Sequence, residues 1–224
     1  CRDIDRMLDY AKGKLHAFKI NTNAWFLDEK KAHALLAAEP STIVFSADAA
    51  AEPLYSQLRV NGRLDRVVRN IEMFQKIRRR DYPASRTITR VSGVSFRDDQ
   101  SLGDMEKFWG GMVDQVAFVA YNPWENVYES PLSGIETPCS DLWRRMFVWW
   151  DGTVNPCDVD YKSALRTGNA GASTLAELWG GAARRRSHRG APATHRRPTP
   201  RCRPGRAERH TPTPSPPCPR SQSS

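Results

Sequence analysis

The chain has 224 residues and a formal net charge of +9, room for one ordinary domain or one and a half small ones. The charge is unevenly spread: residues 182–224 hold eleven arginines against the single acid Glu208 and carry +10, which leaves residues 1–181 at −1. No apolar run reaches the roughly 18 residues of a membrane-spanning helix, no secretory signal is visible, and five cysteines form no dense disulfide framework. A membrane protein and a disulfide-stapled scaffold are therefore excluded, and a cytoplasmic location is expected.

Residues 2–12 place Ile4, Met7, Leu8 and Ala11 at helical spacing, with Gly13 ending the helix. His16 to Ile20 reads as a short buried strand delivering Asn21, Thr22 and Asn23 to its carboxyl end. Asp28 caps a helix through Leu36 with Ala32, Leu35 and Leu36 inward. Thr42 to Phe45 is the next strand and delivers Ser46, Ala47 and Asp48. A loop rich in alanine carries Tyr55 and Arg59; then Leu64, Val67, Val68, Ile71 and Phe74 stripe a long helix ending in the basic run Lys76 to Arg80. Arg86 to Phe96 is a strand, Gly103 to Met112 a helix, and Gln115 to Ala120 a strand. Strand, helix, strand with polar residues at the strand exits argues a parallel sheet covered by helices. About four βα units are present, so this is an α/β chain with at most a partial barrel, since a closed eight-unit barrel needs about 250 residues. Ligands of such sheets bind outside the carboxyl ends of the strands, which makes Thr22, Asn23, Ser46 and Asp48 candidates; helix capping and turn chemistry account for the same residue types.

Tyr121 to Pro138 reads as a linker. Beyond it, Cys139 and Cys157 flank the apolar run Met146 to Trp150, which turns at Asp151 and Gly152, a pair suited to the positive-φ positions of a tight hairpin. Phe147, Val148, Trp149 and Trp150 are expected to form its packed face. Two thiolates at one end of a hairpin would make half of a four-ligand iron–sulfur or zinc site; two unrelated buried cysteines remain an equal alternative.

The tail from residue 182 has nine of the sixteen prolines, no lysine, no aromatic residue and no Leu, Ile, Val or Met. It cannot bury enough apolar surface to offset chain entropy and is expected to be disordered. It reads as a GC-rich gene translated in a shifted frame, or as an arginine-rich arm for nucleic acid. Cys202 and Cys218 within it are poor metal ligands, as are His188, His195 and His210, because ordering entropy and charge repulsion oppose assembly of a site.

Twelve residues separate Cys139 from Gly152 and four separate Gly152 from Cys157. This spacing, the residues from Pro138 to Asp160, and the later Gly168, Asn169 and Thr174 to Trp179 resemble the SPASM/twitch auxiliary-cluster domain of radical SAM enzymes. Upstream, Ile20 to Ala32, and Ile43 to Asp48 followed by Tyr55, Arg59, Gly62, Arg63, Asp65, Val67, Asn70 and Ile71, are similar to the third and fourth βα units of those enzymes. The resemblance implies a partial radical SAM barrel over 1–122, a SPASM-like domain over 123–181 and the tail over 182–224.

It further implies a 4Fe–4S cluster ligated in part by Cys139 and Cys157, and S-adenosyl-L-methionine (SAM) bound near Ser46, Asp48, Thr22 and Asn23. Arg59 is expected to pair with a cofactor or substrate carboxylate, or with Asp48 or Asp65 in a structural salt bridge. Trp143 could shield the cluster from solvent. A reductant such as a flavodoxin or ferredoxin and a peptide, sugar or small-metabolite substrate are implied; nucleic acid is not expected as a partner. The family's CxxxCxxC loop is not found in the 224 residues, and the start at Cys1 suggests a fragment that cannot itself cleave SAM. The reading from another class is a zinc-binding module whose basic tail contacts nucleic acid through phosphate neutralisation.

Overall fold

The structure, a computed structural model, describes residues 3–121, 127–128 and 139–190, with side chains through 187. Cys1, most of the expected linker, and the tail from residue 191 with Cys202, Cys218, His195 and His210 lie outside the described residues, as does the side chain of His188. The described residues fall into two compact units, one through Tyr121 and one after it.

The first unit opens with α1 (Ile4–Ala11), the helix expected from the spacing of Ile4, Met7, Leu8 and Ala11; of these Leu8 is buried and Met7 is 59% exposed. β1 (Lys19–Thr22) starts three residues later than the sequence suggests, in register with β2 (Thr42–Ser46). Between them α2 (Glu29–Ala37) is capped by Asp28, whose carboxylate accepts the Lys31 N–H at 2.8 Å. That contact satisfies one of the donors a helix start leaves unpaired, worth about 1 kcal/mol. α3 (Leu54–Leu58) is a short helix within the segment expected to be a loop, and α4 (Leu64–Asp81) carries the long apolar stripe. β3 (Ile88–Ser95), α5 (Leu102–Gly110) and β4 (Gln115–Ala120) complete the unit.

All pairs are parallel, in the order β1-β2-β3-β4, as the alternation of strand and helix requires. Phe45 meets the edge of Phe74 of α4 at 5.7 Å between ring centroids, so Ile43, Phe45 and Val91 look toward the helices and are fully buried. The two-residue period then turns Val44, Ser46, Arg90, Ser92 and Val94 to the opposite face.

The second unit holds α6 (Asp141–Arg144), β5 (Phe147–Val148), β6 (Thr153–Asn155), β7 (Gly168–Asn169), α7 (Leu175–Gly180) and α8 (Ala182–Gly190). β5, β6 and β7 form an antiparallel sheet in that order. The turn between β5 and β6 has three residues rather than two: Trp149 and Thr153 close it, Gly152 N–H donates to Trp149 C=O, and only Gly152 takes a positive φ, +83°. This is a turn followed by a left-handed glycine at a bulge, the common three-residue hairpin. It carries Trp150 outward at 96% exposure and leaves Val148 47% exposed, so the expected packed aromatic face is corrected to Phe147 and Trp149. α7 begins with a reciprocal cap in which Thr174 and Glu177 satisfy each other's backbone N–H.

α8 corrects the expectation of structureless chain from residue 182: residues 182–190 are helical and Arg184 is fully buried, because its guanidinium finds backbone carbonyls and an aromatic face to lie on. No described helix is long and apolar enough to cross a membrane.

Candidate functional site

In the first unit the exit of β2 is a tightly bonded corner. Asp48 is 3% exposed; its Oδ1 accepts the Val94 N–H at 2.8 Å and its Oδ2 lies 2.6 Å from Arg59 Nε. Gln100, 5% exposed, donates to the carbonyls of Asp48 and Val94 while its Oε1 accepts from the amides of Phe96 and Arg97. Gly93 permits the approach of β3 to this corner, since a Cβ there would stand 2.3 Å from Ala47 O. Of the two ion pairs open to Arg59, the structure has the one with Asp48; Asp65 is held by Arg63 and Arg69. Burial pushes the Tyr55 phenol up, keeping a neutral ring beneath this corner.

Thr22 and Asn23 act on their own backbone. Thr22 Oγ1 accepts the Ala24 N–H and Asn23 Oδ1 the Trp25 N–H, each at 3.1 Å, and Ala24 sits at φ +56°. Asn70 of α4 clasps the turn by donating to the Ala24 and Trp25 carbonyls, and Arg66 stacks over Trp25 at 4.4 Å. The face of the sheet turned from the helices offers Asn21, Ser46, Ser92 and Arg90, the last bonded to Gln115. Ser46 was legible from the sequence; Ser92 and Arg90 were not, although strand alternation from Ser46 through its register partner points to both.

In the second unit Cys139 is exposed at the start of α6 and Cys157, half-buried, follows β6, both as thiols. Cys157 Sγ lies 3.9 Å from Asp158 Oδ1. The loop after Cys157 is fixed by the fully buried Asp160, whose carboxylate accepts Tyr128 OH and the amides of Ala164 (2.9 Å) and Leu165 (2.8 Å), while its carbonyl accepts Asn155 Nδ2. Burial and the bond to Asp160 push the Tyr128 phenol up to about 12. Neither Asp160 nor Tyr128 stood out in the sequence. Trp143, expected as a cluster shield, is 44% exposed.

The two thiols suit a soft metal centre in kind and supply two of its positions. Among the described residues no group of three or more His, Cys, Asp or Glu could hold a metal ion. A cavity of about 380 Å³ lies at the amino-terminal ends of β3 and β4, lined by Gln75, Arg78, Tyr82 and Asp114 among others, away from the predicted strand exits.

Residues 139–204 match the family model of SPASM, an iron–sulfur cluster-binding domain. Among solved structures, Streptococcus suis SuiB bound to precursor peptide SuiA is similar with a TM-score of 0.62 at 15% identity, over 79% of this chain and 50% of that one. SuiB bound to S-adenosylmethionine matches with a TM-score of 0.52 at 16% identity over the same shares. Native anSMEcpe with bound AdoMet and Cp18Cys peptide matches with a TM-score of 0.58 at 14% identity, over 87% of this chain and 67% of that one. The chain thus spans about half the length of the SuiB chains it matches, and no curated protein matches it. The chain carries a match to the SPASM iron–sulfur cluster-binding domain on residues 139–204, following in sequence a parallel sheet with the fold seen in the matched parts of SuiB and anSMEcpe.

Proposed function

We propose that this chain is part of an enzyme that modifies its substrate by radical chemistry, with SAM as radical source and an auxiliary iron–sulfur cluster beside it. The SPASM match begins on Cys139 and takes in Cys157, and that observation carries the reading. When bound, such a cluster supplies a one-electron centre or an iron atom for a substrate ligand. The chain's own part is to present one thiolate just before α6 and a second just after β6, in a loop locked by Asp160.

A peptide is the favoured substrate class, because SuiB and anSMEcpe were both solved with peptides. Ser46 is proposed to face SAM or substrate directly. Asp48, Arg59, Thr22 and Asn23 frame that wall, since their polar atoms are engaged with backbone or with each other. The barrel portion is proposed to end at residue 122 and the SPASM portion to begin at 123, with a flavodoxin or ferredoxin as electron donor in the cytoplasm.

Anaerobic reconstitution of the full chain with ferrous iron and sulfide tests this. Uptake of both iron and acid-labile sulfide, reduced in Cys139→Ser and Cys157→Ser, is expected. Zinc without sulfide would instead favour the zinc module. The 224 residues contain no CxxxCxxC, so the reconstituted chain alone is expected to form no 5′-deoxyadenosine from SAM; detection of that product would overturn the expectation.

A further inference from the structure

The cavity of about 380 Å³ at the amino-terminal ends of β3 and β4 takes no part in the chemistry proposed above. Its walls come from the last turns of α4 (Gln75, Arg78, Arg79), from the chain leading into β3 (Tyr82, Ser85) and from Asp114 just before β4. Three of these side chains are charged, and the two arginines against one aspartate leave the lining with one positive charge in excess. Arg78 Nη1 lies 2.8 Å from Asp114 Oδ2 and also reaches Gln75 and Thr89, so those two charges offset each other. Arg80 sets Nε and Nη2 on the two oxygens of Asp81, each at 2.7 Å. Arg79 is exposed and has neither an ion pair nor a side-chain hydrogen bond among the described residues. Basic residues in the last turn of a helix complement its dipole, which accounts for the run Arg78 to Arg80 as a set but not for the cavity that Arg79 borders.

The uncommitted groups there are mostly donors. Arg78 makes its side-chain hydrogen bonds from Nη1, so Nε and Nη2 make none among the described residues. Arg79 keeps its whole fork, and Ser85 Oγ, which accepts the Thr87 N–H at 3.3 Å, keeps its own proton to donate. A planar fork of N–H donors matches the oxygens of a carboxylate or a phosphate, and the volume falls within the range of roughly 300–1,000 Å³ that small-molecule sites occupy. We infer that this cavity is a binding site for a small molecule bearing a carboxylate or phosphate group, held by Arg79 and the open edge of Arg78 with Ser85 as a further donor. The site involves neither SAM nor an iron–sulfur centre, and it stands or falls independently of them.

Urea denaturation of the full chain, followed by circular dichroism in rising sodium phosphate, sodium succinate or sodium chloride at one constant ionic strength, tests the site. An anion that binds the folded state alone raises the midpoint and saturates. Phosphate, succinate or both are expected to do so beyond chloride; phosphate alone assigns a phosphate group and succinate alone a carboxylate. In Arg79→Gln the response is expected to need about tenfold more anion, or to vanish, since a charge-assisted contact is lost. The arginines beyond residue 190 are the same in both proteins, so the difference between parent and variant reports the cavity. Should Arg79→Gln not fold, Ser85→Asp, which sets a like charge in the cavity, is read in its place with the same expectation. No response beyond chloride in the parent, or a response of equal size and midpoint in the variant, would overturn the site.

Discussion

Arg59 Nε stands 2.6 Å from Asp48 Oδ2, on a carboxylate that is 5% exposed and already takes the Val94 amide on its other oxygen. The pair joins the exit of β2 to the end of α3 and, through Val94, to β3. Its first consequence is for stability. Asp48 is buried but the Arg59 side chain keeps 32% of its surface exposed, so removing the carboxylate chiefly leaves the Val94 N–H without its acceptor, at a cost of about 1 to 3 kcal/mol. Asp48→Ala is expected to lower the denaturation free energy by that amount. Asp48→Asn is expected to cost less, since it can still accept the Val94 N–H. Chemical denaturation followed by circular dichroism measures both, and equal stability of Asp48→Ala and the parent would show the pair to be dispensable.

Much of this corner was legible in the sequence, and the reasons are physical. Thr42 to Phe45 as a strand, Asp28 as a cap and the stripe on α4 follow from periodicity and local chemistry, and all three stand. Gln100 was not legible: it lies in a loop with no periodicity and matters only because β2 and β3 bring Asp48 and Val94 within its reach. Trp150 was misread because a run of apolar residues does not reveal that the turn after it has three residues rather than two. Arg184 was hidden by its neighbours. In a stretch of arginines and prolines nothing local marks one guanidinium as buried.

Alkaline pH should loosen the loop behind Cys157. The Tyr128 phenol donates to Asp160 and is pushed up to about 12 by burial and by that carboxylate. In the unfolded chain a tyrosine titrates near about 10. A group raised on folding contributes stability that is complete below the unfolded value and lost as pH rises toward the folded one. The parent is therefore expected to lose stability between about pH 10 and 12, and Tyr128→Phe to lose less of it there. At neutral pH the same variant should cost about 1.5 to 3 kcal/mol for the lost bond to a charged acceptor. Denaturation midpoints of both proteins across this range decide it; parallel curves would exclude Tyr128 as the group responsible.

Gly168 of β7 lies against Leu178 of α7. A Cβ added there would stand 2.3 Å from Cδ2 of the buried Leu178. Overfilling a packed core costs about 1 to 3 kcal/mol, and Gly168→Ala is expected to fall in that range. Shortening the obstructing side chain should recover part of the loss: Gly168→Ala with Leu178→Val is expected to be more stable than the sum of the two single changes, a coupling that contacting residues display. A strictly additive double-mutant cycle in thermal denaturation would place the strain elsewhere.

At the amino-terminal ends of β3 and β4 the acid limb of stability should rest on Asp114. Its burial disfavours the charged form, but the Thr89 amide, the Thr89 hydroxyl and Arg78 outweigh that and hold the carboxyl below its ordinary value of 3.8. The Thr89 amide and the Arg78 guanidinium each meet Oδ2 at 2.8 Å, and the same Arg78 reaches Gln75, which donates onward to Met112 C=O. A carboxyl depressed on folding contributes stability that is present above the unfolded pKa and lost as pH falls through the folded one. Lowering the pH below about 4, the ordinary carboxylate range, is therefore expected to weaken the joint between β3, β4 and α4. Asp114→Asn should be less stable than the parent at pH 7 and converge on it in acid, because protonation has by then removed the same charge from the parent. Urea denaturation at pH 7 and at pH 3 tests this; a constant difference between the two proteins would assign the acid limb to other carboxylates.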